Sequence, residues 1–235
     1  MNLITHGAYL TQLSQFRFIN QYLVQEDDGL TLIDTGALGQ APAILRAAAS
    51  LGAPLRRILI THAHNDHVGS LDALHAALPD AEVLISARDA RLMAGDLTTD
   101  EGELQKPLRA GRAKTTPTRL LTPGDRVGSL QSVGAAGHSP GQLAFLDTRD
   151  GTLIAGDAYQ TFSQVSTSAE LRWRSPLPAL ATWDRATALV SARALAALHP
   201  TRLAVGHGPV VLHPQGAMDA AVIRAERQLS KKSQL

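Results

Sequence analysis

One order of parts occurs twice in this chain, and it limits the available folds more than any other feature. The order is strand, Asp-Gly turn, strand, then an aspartate beside a glycine. The first copy is QYLVQEDDGLTLIDTG at residues 21–36 and the second is QLAFLDTRDGTLIAGD at 142–157. An Asp-Gly pair between two β-rich runs signals a tight hairpin, because the reversal needs positive φ. Each copy is followed, after a helix-containing stretch, by an apolar strand that ends in histidine: RRILITHAH at 56–64 and TRLAVGHG at 201–208. The repeat predicts two similar halves with related sheets.

The remaining pattern agrees with an α/β chain. Short β-rich runs bounded by turn residues predict strands over Phe16–Val24, Leu30–Ile33, Arg57–Ile60, Glu82–Ile85, Gln142–Leu146, Thr152–Ala155 and Arg202–Val205. Helices are predicted over Gln40–Leu51, Ser70–Leu78, Ser86–Met93 with Ser86 as N-cap, and Ala179–Leu198. Two stretches fit neither half. Asp96–Thr118 reads as a polar surface excursion with a little helix, and Thr161–Pro178 mixes aromatic, arginine and small polar residues. Long irregular connections of this kind are often binding loops or lids, so both are candidates for substrate contact.

Composition excludes several classes. At 235 residues the chain suits one domain, 1–235, able to bury a substantial core. Its net charge of +1 gives no overall field toward nucleic acid or an anionic membrane surface. There is no cysteine, which rules out a disulfide framework, a thiolate zinc site and a cysteine nucleophile. No apolar run approaches a bilayer span and the N-terminus carries no secretory pattern, so the expected location is the cytoplasm. The expected partner is a small-molecule substrate, with neither nucleic acid nor membrane, and a homodimer is compatible with the sequence. The C-terminal RAERQLSKKSQL reads as a solvated helix end.

The chemistry concentrates in ITHAHNDH at 60–67, which holds three of the nine histidines. His62 and His64 lie two residues apart and point to one side of an extended segment. Asp66 and His67 follow where the chain turns, so one loop can aim the first pair at one metal and the second pair at another. Imidazole and carboxylate suit zinc, iron or manganese. Further ligands are expected at strand ends: His138 in AAGHSPG, Asp157 in LIAGDAY and His207 in LAVGHGP. Gly137, Gly156, Gly206 and Gly208 beside them are expected to leave room for the ligands to approach. His199 competes with His207, but it sits before Pro200 at a helix end, so His207 is preferred.

HAHNDH, GHSPG, AGD and GHG in that order, with LIDTG upstream, resemble the metallo-β-lactamase superfamily over roughly Tyr22–His207. The resemblance implies a four-layer αββα sandwich. It also implies that His62, His64 and His138 hold one metal, that Asp66, His67 and His207 hold a second, and that Asp157 bridges them. The expected cofactor is two divalent ions, zinc first, with manganese, iron or cobalt as alternatives. The glyoxalase II and lactonase branches are the nearer likeness, because class-defining cysteines and a nuclease arm are missing. Only 28 residues follow His207, which is short for a glutathione-binding tail. The implied reaction is hydrolysis of an ester, thioester or lactone by a metal-bridging hydroxide, with Asp66 accepting and returning a proton. Tyr159, close after Asp157, is a candidate substrate hydrogen-bond donor, and Asp34 a candidate for orienting a ligand histidine. Trp173 and Arg174 become specificity residues if their loop is a lid. The rival reading is a mononuclear-iron persulfide dioxygenase of the same fold.

Overall fold

The computed structural model describes residues 1–15, 18–172 and 177–232. The chain divides into two compact units, Met1–Leu97 with Arg109–Leu121, and Thr98–Leu108 with Thr122–Leu235.

The first unit holds a seven-stranded sheet in chain order: β1 (Asn2–His6), β2 (Leu10–Gln15), β3 (Ile19–Glu26), β4 (Gly29–Ile33), β5 (Leu55–Leu59), β6 (Glu82–Ser86) and β7 (Arg119–Leu121). Strands β1 to β4 form an antiparallel meander, and β4 to β7 run parallel. Helices α1 (Ala41–Ser50), α2 (Asn65–Val68), α3 (Leu71–Ala77) and α4 (Ala87–Met93) supply the connections. Every residue of β4 is buried, as expected of a central strand that leaves the antiparallel meander for the parallel half. Helix α1 buries Ala41, Ile44, Ala47 and Ala48, one helical stripe, and Pro42 starts it where a missing N–H costs nothing. Ser86 caps α4 as expected, accepting from the Asp89 N–H at 3.1 Å.

The second unit holds a six-stranded sheet in the order β15-β14-β11-β10-β9-β8. Its strands are β8 (Arg126–Val127), β9 (Leu130–Gly134), β10 (Leu143–Asp147), β11 (Thr152–Ile154), β14 (Arg202–Ala204) and β15 (Val211–Leu212). A separate hairpin pairs β12 (Tyr159–Gln160) with β13 (Ser166–Thr167). Helices α5 (Leu177–Ala181), α6 (Arg185–Ala196) and α7 (Gln215–Lys232) complete it.

The sequence repeat is a structural repeat. In the first unit the β3–β4 hairpin is antiparallel and β5 then joins β4 in parallel. In the second the β10–β11 hairpin is antiparallel and β14 joins β11 in parallel. Both crossovers run through helix, as a parallel return requires.

Several expectations change. The strand expected over Phe16–Val24 is β3, which starts at Ile19, and residues 16 and 17 lie outside the described residues. Among the described residues 96–118 contain no helix. Part of that excursion is tied down: the Asp72 carboxylate accepts from the Lys114 N–H, the Thr115 N–H at 2.8 Å and the Thr115 hydroxyl at 2.7 Å. The second candidate lid is largely a fixed element. Residues 165–170 are buried, and Glu170 ion-pairs with Arg224 of α7 at 3.0 Å. Trp173 and Arg174 lie outside the described residues. The single helix expected over Ala179–Leu198 is two helices, α5 and α6, broken at Thr182-Trp183-Asp184.

Candidate metal centre

In the first unit, the His-rich loop leaves β5 and is held by Asp34, Asp89 and Gly111. Asp34, at the end of β4, accepts from the Thr61 N–H through Oδ1 at 2.8 Å and from the Thr61 hydroxyl through Oδ2 at 2.8 Å. The same Oδ2 lies 2.8 Å from His67 Nδ1. Asp34 adopts φ 62°, the left-handed region that side-chain-bearing residues other than Asn and Asp seldom enter. Its own N–H donates to the Leu59 carbonyl at 2.8 Å, so the turn out of β4 is locked to β5. Asp89 of α4, wholly buried, accepts from the Ala63 N–H at 2.8 Å, and the Ala63 carbonyl accepts from the Gly111 N–H at 2.5 Å. Thr61, His62 and His67 are fully buried and His64 is half-buried.

These contacts set the imidazole tautomers. The Thr61 hydroxyl has one proton and gives it to Asp34, so toward His62 Nδ1, 3.0 Å away, it acts as acceptor. His62 therefore carries its proton on Nδ1 and presents Nε2 as a lone pair. His67 Nδ1 likewise donates to the Asp34 carboxylate, which makes Nε2 its donor atom toward a cation. His62 Nε2 and His64 Nδ1 stand 3.0 Å apart.

In the second unit, strand register brings two ligand types together. Ile154 of β11 pairs with Ala204 of the parallel β14, and Asp157 and His207 each follow three residues later. Gly206 N–H donates to the Gly156 carbonyl at 2.9 Å and keeps the two exits side by side. Asp157 Oδ2 is 3.1 Å from His207 Nε2 and 3.3 Å from His138 Nε2. His138 sits in the loop between β9 and β10, and the helix break holds that loop. Trp183 N–H donates to the His138 carbonyl at 3.1 Å and Asp184 N–H to the Gly137 carbonyl at 2.9 Å. Thr182 Oγ1 donates to the Ser168 carbonyl at 3.0 Å and lies 3.0 Å from His138 Nδ1. By the same one-proton argument Thr182 accepts from Nδ1–H, and His138 offers Nε2. A lone pair on Nε2 and a carboxylate oxygen at 3.3 Å repel unless a proton or a metal cation lies between them. The donor set of this unit, His138, Asp157 and His207, thus fits a cation, and in the first unit His62, His64, Asp66 and His67 offer donors of the same two types.

Gly137 lets the chain pack closely against a helix. A Cβ on Gly137 would sit 2.2 Å from the Ala188 backbone nitrogen, so this glycine lets the His138 loop press on α6. Tyr159 has a different place from the one expected. It is fully buried and its hydroxyl donates to the Ala192 carbonyl of α6 at 2.7 Å, which commits it to the core rather than to a substrate. Burial pushes its phenol well above the ordinary range. Asp89 and Thr182 carry no motif, and the sequence did not single them out. A buried polar residue opposite a loop is visible only once the chain is folded.

The family model for the metallo-β-lactamase superfamily matches residues 15–207, which include parts of both units. The uncharacterized protein YobT of Bacillus subtilis (strain 168) is 45% identical over 212 residues, covering 89% of this chain and 91% of that protein. The probable metallo-hydrolase YflN of the same strain is 28% identical, covering 86% of this chain and 83% of its own. Among solved structures, TTHA1623 in a di-iron-bound form matches with a TM-score of 0.64 at 28% identity, covering 89% of this chain and 97% of that one.

Proposed function

The chain belongs to the metallo-β-lactamase superfamily, and from that premise we propose that it is a metal-dependent hydrolase of ester, thioester or lactone bonds with a dinuclear centre. A small molecule, rather than nucleic acid or a membrane, is its substrate, and 1–235 acts as one domain. His62, His64 and His138 would hold one ion, and Asp66, His67 and His207 the other, with Asp157 between them. When bound, two divalent ions supply hydroxide at neutral pH and Lewis acidity toward the substrate oxygen. The relative YflN, named a probable metallo-hydrolase, supports hydrolysis as the reaction class, and the iron in TTHA1623 keeps iron beside zinc among the metals.

The observation that carries the reading is the fixing of tautomers. Thr61, Asp34 and Thr182 engage Nδ1 of His62, His67 and His138, and each imidazole is left with Nε2 as its donor. Three histidines that each keep the same ring nitrogen as a lone pair make a set of metal donors. Asp66 opens α2 with its carboxylate about one-third exposed, so it can take a proton at a carboxylate oxygen and return it to the departing group. Buried Asp34 and Asp89 keep the loop in place while that proton moves.

Metal content per chain, measured by elemental analysis on protein purified without chelator or added metal, tests the reading. Two equivalents are expected, with turnover on a panel of esters, thioesters and lactones. One equivalent of iron alone, with no hydrolysis on the panel, would replace the hydrolase by the single-iron oxidation chemistry.

A further inference from the structure

The β12–β13 hairpin ends in a tip, residues 161–165, that is zipped onto the chain around His207. Thr161 N–H donates to the His207 carbonyl at 3.0 Å, and the Thr161 hydroxyl donates to the Pro209 carbonyl at 2.5 Å. Gly208 makes the approach possible. With φ 109° it takes a backbone shape that suits glycine, and a Cβ there would lie 2.5 Å from Thr161 Oγ1 and 2.8 Å from Phe162 N. The result is a fixed place for Phe162, whose ring stacks on the His207 imidazole at 6.1 Å between centroids and 22° between planes.

Phe162 is nonetheless 36% exposed, beside polar Ser163 and Gln164 that are also exposed. A large apolar ring held by a dedicated hairpin, stacked on a ligand imidazole and open to solvent, is poorly explained by packing. The core of this unit already contains Tyr159, Val165 and Ala169 from the same segment. Singly exposed apolar side chains are ordinary on a protein surface; what sets Phe162 apart is that its ring lies on an imidazole of the candidate centre, where an arriving apolar group would meet it.

We infer that Phe162 is the specificity-determining residue for the leaving group, and that this group is an uncharged alkyl or aryl thiol or alcohol. This rests on the hydrolase reading, in which His207 would share its ion with Asp66, the residue that returns a proton to the departing group. Hydrolysis then splits the acyl C–S or C–O bond, water supplies oxygen to the acid product, and the thiol or alcohol departs with a proton across the Phe162 ring.

The test uses acetyl thioesters of straight-chain thiols from ethyl to hexyl, whose leaving-group acidities are nearly constant. Wild-type kcat/KM is expected to rise roughly two- to fourfold per added methylene, as for partial to full burial. In F162A the rise flattens, while F162L retains most of it and both variants keep wild-type metal content. Binding of the same alkanethiols to metal-loaded protein, followed by calorimetry, should show the same dependence without turnover. Thioester turnover that is independent of chain length in wild type, or a chain-length dependence that survives in F162A, overturns the inference and leaves the hydrolase standing. Chain-length-dependent thiol binding lost in F162A, with no turnover of any thioester, ester or lactone, keeps the apolar subsite and removes the hydrolase. Neither binding nor turnover removes both.

Discussion

The Thr182 hydroxyl stands between His138 Nδ1 and the Ser168 carbonyl, 3.0 Å from each. With its proton given to Ser168, it fixes which nitrogen of His138 faces Asp157. Replacing it by valine keeps the shape and removes both bonds, so T182V should fold yet lose about 10- to 100-fold in metal affinity. T182S should recover most of that loss. Competition against a chromophoric chelator reads the affinity directly, and an unchanged value in T182V would assign the threonine to helix breaking alone.

Asp34 makes the stronger demand. Its carboxylate accepts three bonds, and an amide in its place turns one donor toward another donor. D34N should lower metal affinity by at least tenfold and destabilise the fold by about 1–3 kcal/mol. D34A should cost more, since alanine tolerates φ 62° less well. Urea midpoints for the two variants check the order.

Tyr159 belongs to the core, so Y159F should leave metal content and turnover as they are. Loss of the bond to Ala192 should reduce stability by about 1 kcal/mol. A large fall in kcat with intact stability would return Tyr159 to the reaction.

Acid should loosen three surface fastenings together. Burial alone would raise the Asp72 carboxyl, but hydrogen bonds from Lys114 and Thr115 outweigh it and hold it below its ordinary 3.8. In Asp150, bonds from Thr152 and Arg202 likewise overcome burial, and Asp28 is lowered by the Arg57 guanidinium. A carboxyl lowered in the folded state contributes stability above its unfolded value, and loses it as pH falls through the folded one. The urea midpoint should therefore drop below about pH 4, and D72N should make that drop shallower. Hydrogen exchange at residues 114 and 115 should quicken in D72N.

The repeat and the histidines were legible because they are written locally: a turn pair between β-rich runs, and ligand types at strand ends. The break between α5 and α6 was hidden. Ala and Leu dominate both sides, and Thr182-Trp183-Asp184 interrupts a helix only because its N–H groups are needed by Gly137 and His138, more than forty residues away in sequence. Strand β2 escaped for a related reason. Thr11, Gln12 and Ser14 look like surface, yet they are buried between β1 and β3, where neighbours rather than intrinsic preference decide.

Position 34 faces two independent filters. The backbone admits glycine, asparagine and aspartate; the three donors converging there admit a carboxylate short enough to reach them. Only aspartate passes both. A saturation library at this codon should therefore return a single surviving letter under selection for activity, whereas positions that satisfy one filter alone, such as solvent-facing His199 and His213 with their own positive φ, should drift toward glycine and asparagine without penalty.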